Sequence, residues 1–200
     1  NYYVDSDLYE FVQKNKNLTE DEKCYIIYQM LEILQSLKKL KILHNDIKLE
    51  NFIMKSVSPP KILLTDFDFA EIINKSSCHK RGTIPYTAPE ILRDEPHDYE
   101  ADIWSLGVCA FYFLFEVFPF NFKKAKLFDK NHIMSCLENN ELVRPKGNDV
   151  SDDAWEFVSE LLKKDQTERI TVEKAINMNW FKNKKFPEDS TSNEKENIKN

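Results

Sequence analysis

The stretch His44-Asn45-Asp46-Ile47-Lys48-Leu49-Glu50-Asn51 crowds several reactive side-chain types into one short loop. It holds a base-capable carboxylate (Asp46), an ammonium two residues on (Lys48) and a carboxamide three beyond that (Asn51). These types at this spacing suit phosphoryl transfer. The carboxylate orients a hydroxyl nucleophile and accepts its proton, the ammonium neutralises charge on the moving group, and the amide oxygen ligates Mg2+. Twenty residues after Asp46 comes Asp66-Phe67-Asp68. A carboxylate just past a strand, facing an amide from the neighbouring loop, makes a metal clamp.

The loop needs rigid neighbours, and the flanking sequence supplies them. Thr19-Glu20-Asp21-Glu22 reads as a helix start, with Thr19 able to cap and the acids at the positive end of the dipole. From there to about Leu40, apolar residues at Ile26, Ile27, Met30, Leu31, Leu34, Leu37 and Leu40 form a single helical face. Ile42-Leu43 then leads into the loop. Phe52-Ile53-Met54 and Ile62-Leu63-Leu64 are β-like runs, and Ser56 to Pro60 between them reads as a turn, which predicts a hairpin ending at Asp66.

Upstream, Asp7 to Lys14 reads as a short helix with Asp7 as its cap. Downstream, Asp102 to Phe118 is the most apolar stretch. Asp102 begins it, Glu116 interrupts it and Pro119 ends it, so a buried central helix is expected rather than a membrane span. Asn131 to Asn139 and Asp152 to Lys164 read as amphipathic helices. Thr171 starts a last helix expected to reach about Trp180-Phe181. Beyond Lys182 the chain is polar and without periodicity. The domain reading is therefore one unit over residues 1–182 and a disordered tail or linker over 183–200.

Composition narrows the function classes. Two hundred residues, 42% of them hydrophobic, suffice for one compact domain. A formal net charge of −6 argues against general nucleic-acid binding. Cys24, Cys78, Cys109 and Cys136 are scattered, form no C-x-x-C pair and have no His cluster beside them, which argues against zinc and for a reduced, intracellular setting. The polar, acidic N-terminus does not resemble a signal peptide. With 3 glycines the chain has few for a complete nucleotide-binding enzyme.

Residues 44–51 resemble the protein-kinase catalytic loop, H-R-D-L-K-x-x-N, with Asn45 where that pattern has Arg. Asp66-Phe67-Asp68 resembles the family's D-F-G, with Asp68 in place of Gly. The stretch from Gly82 to Glu90 (Gly-Thr-Ile-Pro-Tyr-Thr-Ala-Pro-Glu) resembles G-T-x-x-Y-x-A-P-E. Asp102 to Val108 resembles D-x-W-S-x-G-V. Asp165 to Phe181 resembles the closing segment D-P-x-x-R-x-T-x-x-x-x-L-x-H-P-W-F, with Gln166 at its Pro and Asn177 and Asn179 near its final His-Pro.

The resemblance implies an α+β, protein-kinase-like fold: a mostly α-helical C-terminal lobe with small β-hairpins. The N-terminal lobe is absent from this sequence, with its glycine-rich phosphate loop, strand lysine and partner glutamate helix. It implies a Ser/Thr protein kinase, Lys48 pointing to Ser/Thr rather than Tyr, most like the calcium/calmodulin-dependent group. Such a kinase uses ATP and Mg2+ and is active only if the small lobe is supplied. Asp46 is then the base and Lys48 the γ-phosphate contact, with Asn51 and Asp66 as the Mg2+ ligands. Tyr3 and Val4 offer backbone groups to adenine, Ile53 forms its floor, and Asp7 lies near the ribose or simply caps its helix. Thr83 bonds Asp46 and Lys48, and Glu90 pairs with Arg169. Glu50 receives a basic substrate side chain or is a solvated surface residue. Expected partners are Ser/Thr-containing proteins, with no nucleic acid and no membrane, and the chain acts as a monomer in the cytoplasm with access to the nucleus. The other reading is a catalytically silent binding or scaffold module. Asn45 is neutral and cannot form an ion pair with phosphate, so activity independent of phosphorylation at Ser76 or Ser77 is expected.

Overall fold

A computed structural model describes residues 6–57, 59–73, 76–77, 82–123, 126–182, 184 and 186. Helix α4 (Glu100–Phe115) is its centre, and every residue from 101 to 114 is buried. Side chains that are apolar on all faces of a helix need partners on all faces, and the other elements surround it. It stops where Glu116 takes a left-handed conformation (φ 58°) with Pro119 shortly after, so the helix ends before the expected Phe118. No described helix is long and apolar enough to cross a membrane.

Helix α1 (Leu8–Lys14) starts at Asp7, whose carboxylate accepts from the Glu10 N–H at 2.7 Å. Helix α2 (Glu20–Lys39) starts with a full capping box. The Glu22 N–H donates to Thr19 Oγ1 and the Thr19 N–H to Glu22 Oε2. Its buried face carries Cys24, Ile26, Ile27, Met30, Leu31, Leu34 and Leu37, as the periodicity predicts except at Leu40, which caps the helix end and is exposed. A short helix α3 (Pro89–Leu92) precedes α4. Helices α5 (Lys130–Asn139) and α6 (Asp152–Leu161) follow, α6 capped by Ser151.

The expected last helix is two, α7 (Val172–Ala175) and α8 (Asn179–Lys182). Between them Asn177 turns its amide back onto the Glu173 carbonyl at 2.8 Å. A short polar side chain that bonds the local backbone favours such a break. Past α8, Lys184 pairs with Asp21, and Phe186 packs on Tyr25 and Tyr28 with ring centroids 5.1 and 4.7 Å away.

Among the described residues, two small antiparallel sheets carry the site. One has the order β1 (Ser6–Asp7), β3 (Phe52–Val57), β4 (Pro60–Leu64). Its hairpin is longer than expected, because Ser56 and Val57 pair with Lys61 and Pro60 past an irregularity at Met54/Ser56. The other joins β2 (Ile42–Leu43) to β5 (Glu71–Ile72), with Ile42 opposite Ile72 and Leu43 opposite Glu71.

At the crossing of α4 and α6 lies Gly107. A Cβ there would stand 2.9 Å from Leu161 Cβ and 2.9 Å from Leu162 Cδ2. Ala would gain about 1 kcal/mol of helix propensity, but overpacking a tight interface costs about 1–3 kcal/mol. The Leu161 Cβ is fixed by its own backbone and has little room to yield. Gly107→Ala should therefore lower the melting temperature by a few degrees. A raised value by differential scanning calorimetry would show that α6 shifts freely.

Candidate active site

The loop after β2 is shaped by one buried carboxylate. Asp102, in the first turn of α4, accepts the His44 N–H at 2.8 Å and the Asn45 N–H at 3.0 Å. Burial pushes its carboxyl up to about 7, against these two bonds, which favour the charge. With its N–H aimed at Asp102, Asn45 adopts a left-handed backbone (φ 66°), which Asn tolerates better than most residues.

That turn delivers Asp46 into a ring of donors. Its Oδ2 receives Lys48 Nζ at 2.6 Å, and its Oδ1 receives the Thr83 N–H at 2.9 Å and the Thr83 hydroxyl at 2.7 Å. Burial raises the Asp46 pKa, but the bonds from Lys48 and Thr83 outweigh it and hold the carboxyl below the usual aspartate range. Lys48 also reaches Thr83 Oγ1 at 3.1 Å, as the resemblance implied. Asn51 donates its amide to the Asp46 carbonyl at 2.8 Å and lies 3.3 Å from Asp46 Oδ2.

The Asp66 side is tied to Asn51 through Thr65. Both the N–H and the hydroxyl of Thr65 donate to the Asn51 carbonyl, at 2.9 and 3.0 Å. These bonds bring the exposed Asp66, itself left-handed at φ 62°, to the Asn51 side of the loop. His44 bridges the same gap. The Thr65 carbonyl can only accept, so His44 Nε2 donates to it at 3.3 Å and His44 Nδ1 accepts the Asp46 N–H at 3.3 Å. Burial holds the imidazole below the usual histidine range, and its ring sits edge-on to Phe67 at 4.9 Å. Asp68, where the resemblance has glycine, is not among the left-handed residues, so its side chain carries no backbone strain.

An amide and a carboxylate are oxygen ligands suited to Mg2+, which takes few protein ligands and completes its shell with water and phosphate. Asn51 and Asp66 fit that chemistry. Among the described residues, no group of three or more His, Cys, Asp or Glu could hold a metal. Of the residues expected to meet the nucleotide, Tyr3 and Val4 lie outside the described ones. Asp7, Ile53 and Leu63 are in register across β1, β3 and β4, so they line up on one sheet face. The Asp7 carboxylate serves as the α1 cap.

The far end of the segment is locked by an ion pair. Arg169 Nη1 and Nη2 reach Glu90 Oε1 and Oε2 at 2.6 and 3.0 Å, with both side chains at most 1% exposed. Arg169 also donates to the carbonyls of Glu100 and Lys163. Ser77 is buried and exchanges two backbone bonds with His97, of 2.7 and 2.9 Å, whereas Ser76 is exposed. Beside Thr83 runs a groove of about 370 Å³ whose lining includes Tyr9, Glu50, Tyr86, Tyr112 and Phe118.

Sequence reasoning left out the two N–H bonds of Asp102, the bridging role of His44 and the bonds from Asn45 to Phe69 and Glu71. The signal for the first was a lone carboxylate at the head of an apolar helix, which has to find donors if buried.

The sequence matches the protein kinase domain over residues 1–181. This chain belongs to the protein kinase family. It is 33% identical over 184 residues to the serine/threonine-protein kinase dkf-2 of Caenorhabditis briggsae, covering 88% of this chain and 15% of that one. It is 33% identical over 162 residues to serine/threonine-protein kinase 1 of Heliothis zea nuclear polyhedrosis virus, covering 80% and 59%. It is 31% identical over 186 residues to the Aurora kinase of Debaryomyces hansenii, covering 91% and 43%. The aligned part thus spans between 15% and 59% of these relatives. The fold is the protein-kinase-like one, rich in helix with small sheets.

The buried Glu90–Arg169 pair sets a stability expectation. Arg169→Ala leaves a buried carboxylate without its partner, which costs about 3–5 kcal/mol. Chemical denaturation of the variant should show that loss. A change below about 1 kcal/mol would mean that water replaces the guanidinium.

Proposed function

We propose that this chain is the catalytic lobe of a serine/threonine protein kinase, acting with a small lobe that covers the nucleotide. The observation that supports the reading is the state of Asp46: an ionised carboxylate held by Lys48 and Thr83, with Asn51 behind it. On this reading Asp46 aligns the substrate hydroxyl and takes its proton as the hydroxyl oxygen attacks the γ-phosphorus. The bond to the bridging oxygen breaks and ADP leaves. Lys48 contacts the γ-phosphate, and Asn51 and Asp66 hold Mg2+, which when bound neutralises the phosphate oxygens. Tyr3, Val4, Ile53 and Asp7 attend the adenosine, and the groove beside Thr83 receives the protein substrate. The order of the late segments favours the calcium/calmodulin-dependent group. The relatives, an Aurora kinase and a D3 kinase among them, do not single that group out.

The test is transfer of labelled γ-phosphate to Ser/Thr peptides by the full-length gene product. Asp46→Asn should lower turnover by about 10²-fold or more with little change in ATP KM. If wild type and variant are equally inactive while a peptide still binds the groove, the chain is a binding module instead.

We further propose that activity does not await phosphorylation of the segment after Asp66. Asn45 is neutral, and Ser77 is buried against His97. Phosphatase treatment, or Ser76→Ala with Ser77→Ala, should leave the rate unchanged. A loss above about tenfold would show a phosphate-gated enzyme.

A further inference from the structure

The β2–β5 pairing stops at Leu43 and Glu71 although both chains run on. Continued by two residues, its register would set Asn45 opposite Phe69. The backbone does not continue it, because the Asn45 N–H is committed to Asp102 and the residue turns left-handed. The side chain continues it instead. Asn45 Nδ2 donates to the Phe69 carbonyl at 3.0 Å and to Glu71 Oε1 at 3.0 Å. Both partners can only accept, which fixes the amide orientation. Its Oδ1 is buried with no hydrogen-bond partner among the described residues. An amide that leaves its own oxygen unsatisfied is held there for its two donated bonds. On the other side, Gly82 lies so close to the Asn45 carbonyl that a Cβ would come within 2.6 Å of it. One residue therefore touches Asp102, the segment that begins with Asp66, and the start of the Thr83 stretch.

We propose that Asn45 is a positioning residue: with Glu71 it forms a neutral-amide-to-carboxylate clamp that fixes the Asp66–Ile72 segment, and with it the metal-side carboxylate, against the loop that carries Asp46. The inference rests on the kinase reading above for its catalytic consequence and on geometry alone for the clamp. The clamp's carboxylate belongs to the chain itself, so the segment is anchored without an added group. The contact is specific to donor and acceptor type, because an oxygen in place of Asn45 Nδ2 would face two acceptors.

Asn45→Asp is the informative change. Asp keeps the shape and tolerates the left-handed backbone, but it removes both donated bonds and opposes Glu71 with like charge. Asn45→Asp with Glu71→Gln restores one bond with the polarity reversed, Gln donating to the new carboxylate. In the full-length protein, Asn45→Asp should lower kcat by about tenfold and raise the Mg2+ concentration for half-maximal rate several-fold, with the KM for the peptide unchanged. The double variant should recover much of both losses. A residue that mattered only for overall stability would not move the Mg2+ dependence or be rescued this way. If Asn45→Asp leaves kcat and the Mg2+ requirement unchanged, or the double variant is no better than the single one, the proposal is overturned. Should the wild type transfer no phosphate, the kinase reading fails and the clamp is read by hydrogen exchange. Amides at 69–72 should then exchange more than tenfold faster in Asn45→Asp, and equal rates would overturn the clamp as well.

Discussion

The site hangs on one buried carboxylate. Asp102 lies inside the protein at the head of the central helix, where an unpaired charge would be very costly. Its two oxygens are met by consecutive backbone N–H groups, those of His44 and Asn45, and it sits at the helix end whose dipole favours negative charge. The two bonds fix the direction in which the chain enters Asn45, and the left-handed Asn45 then turns it toward Asp46. From it follow the aim of Asp46 at Lys48 and Thr83, the place of the His44 ring against Thr65 and Phe67, and the close seat of Gly82 on the Asn45 carbonyl. Leu161 and Leu162 packed onto Gly107 hold α4 itself in place, so the geometry of the loop is inherited from the core.

Asp46 and Asp102 show how environment assigns roles to two nearby carboxylates. Both are buried, and burial pushes both upward. Asp102 has only peptide N–H groups against it, and its carboxyl ends near 7. Asp46 has an ammonium at 2.6 Å and a hydroxyl at 2.7 Å, and it ends below the ordinary range. The charge of Asp46 also raises Asp102, so keeping the first ionised makes the second easier to protonate. On the proposed kinase reading, the base is charged when its substrate arrives, whereas the anchor needs only its acceptors.

Much of this was legible in the sequence because the chemistry demands particular atoms at particular intervals. Asp46, Lys48 and Thr83 meet as the resemblance implies. Helix α2 was legible from its cap and its apolar stripe, and α4 from its continuous apolar run. What was not legible has a common physical form: a side chain bonding to backbone far away in sequence. The bonds from Asn45 to Phe69 and from the loop to Asp102 leave no periodic trace, since the acceptor in one case and the donors in the other belong to every residue alike. The break between α7 and α8 escaped for a related reason. Propensity favours continuing the helix only slightly, and one amide of Asn177 on the Glu173 carbonyl decides against it.

The segment from Asp66 to Glu90 is fastened by bonds of unlike strength at its two ends. At the start the ties are neutral or singly charged and only partly buried: Thr65 on Asn51, Asn45 on Phe69 and Glu71, and the two-residue strand β5. Each is worth about 1 kcal/mol, rising to about 1.5–3 where a charged group takes part. At the finish a fully buried bidentate pair, Glu90 with Arg169, is backed by further carbonyl acceptors and by Ser105 holding the Tyr86 carbonyl at 2.7 Å. Breaking that end exposes a buried charge, while breaking the start mostly exchanges protein bonds for water. Any rearrangement therefore begins at the Asp66 end, where Asp66 and Asp68 are already exposed, and leaves Thr83 and Tyr86 in place. On the proposed kinase reading, a rigid platform for the attacking hydroxyl is thus joined to an adjustable edge for the metal and phosphates.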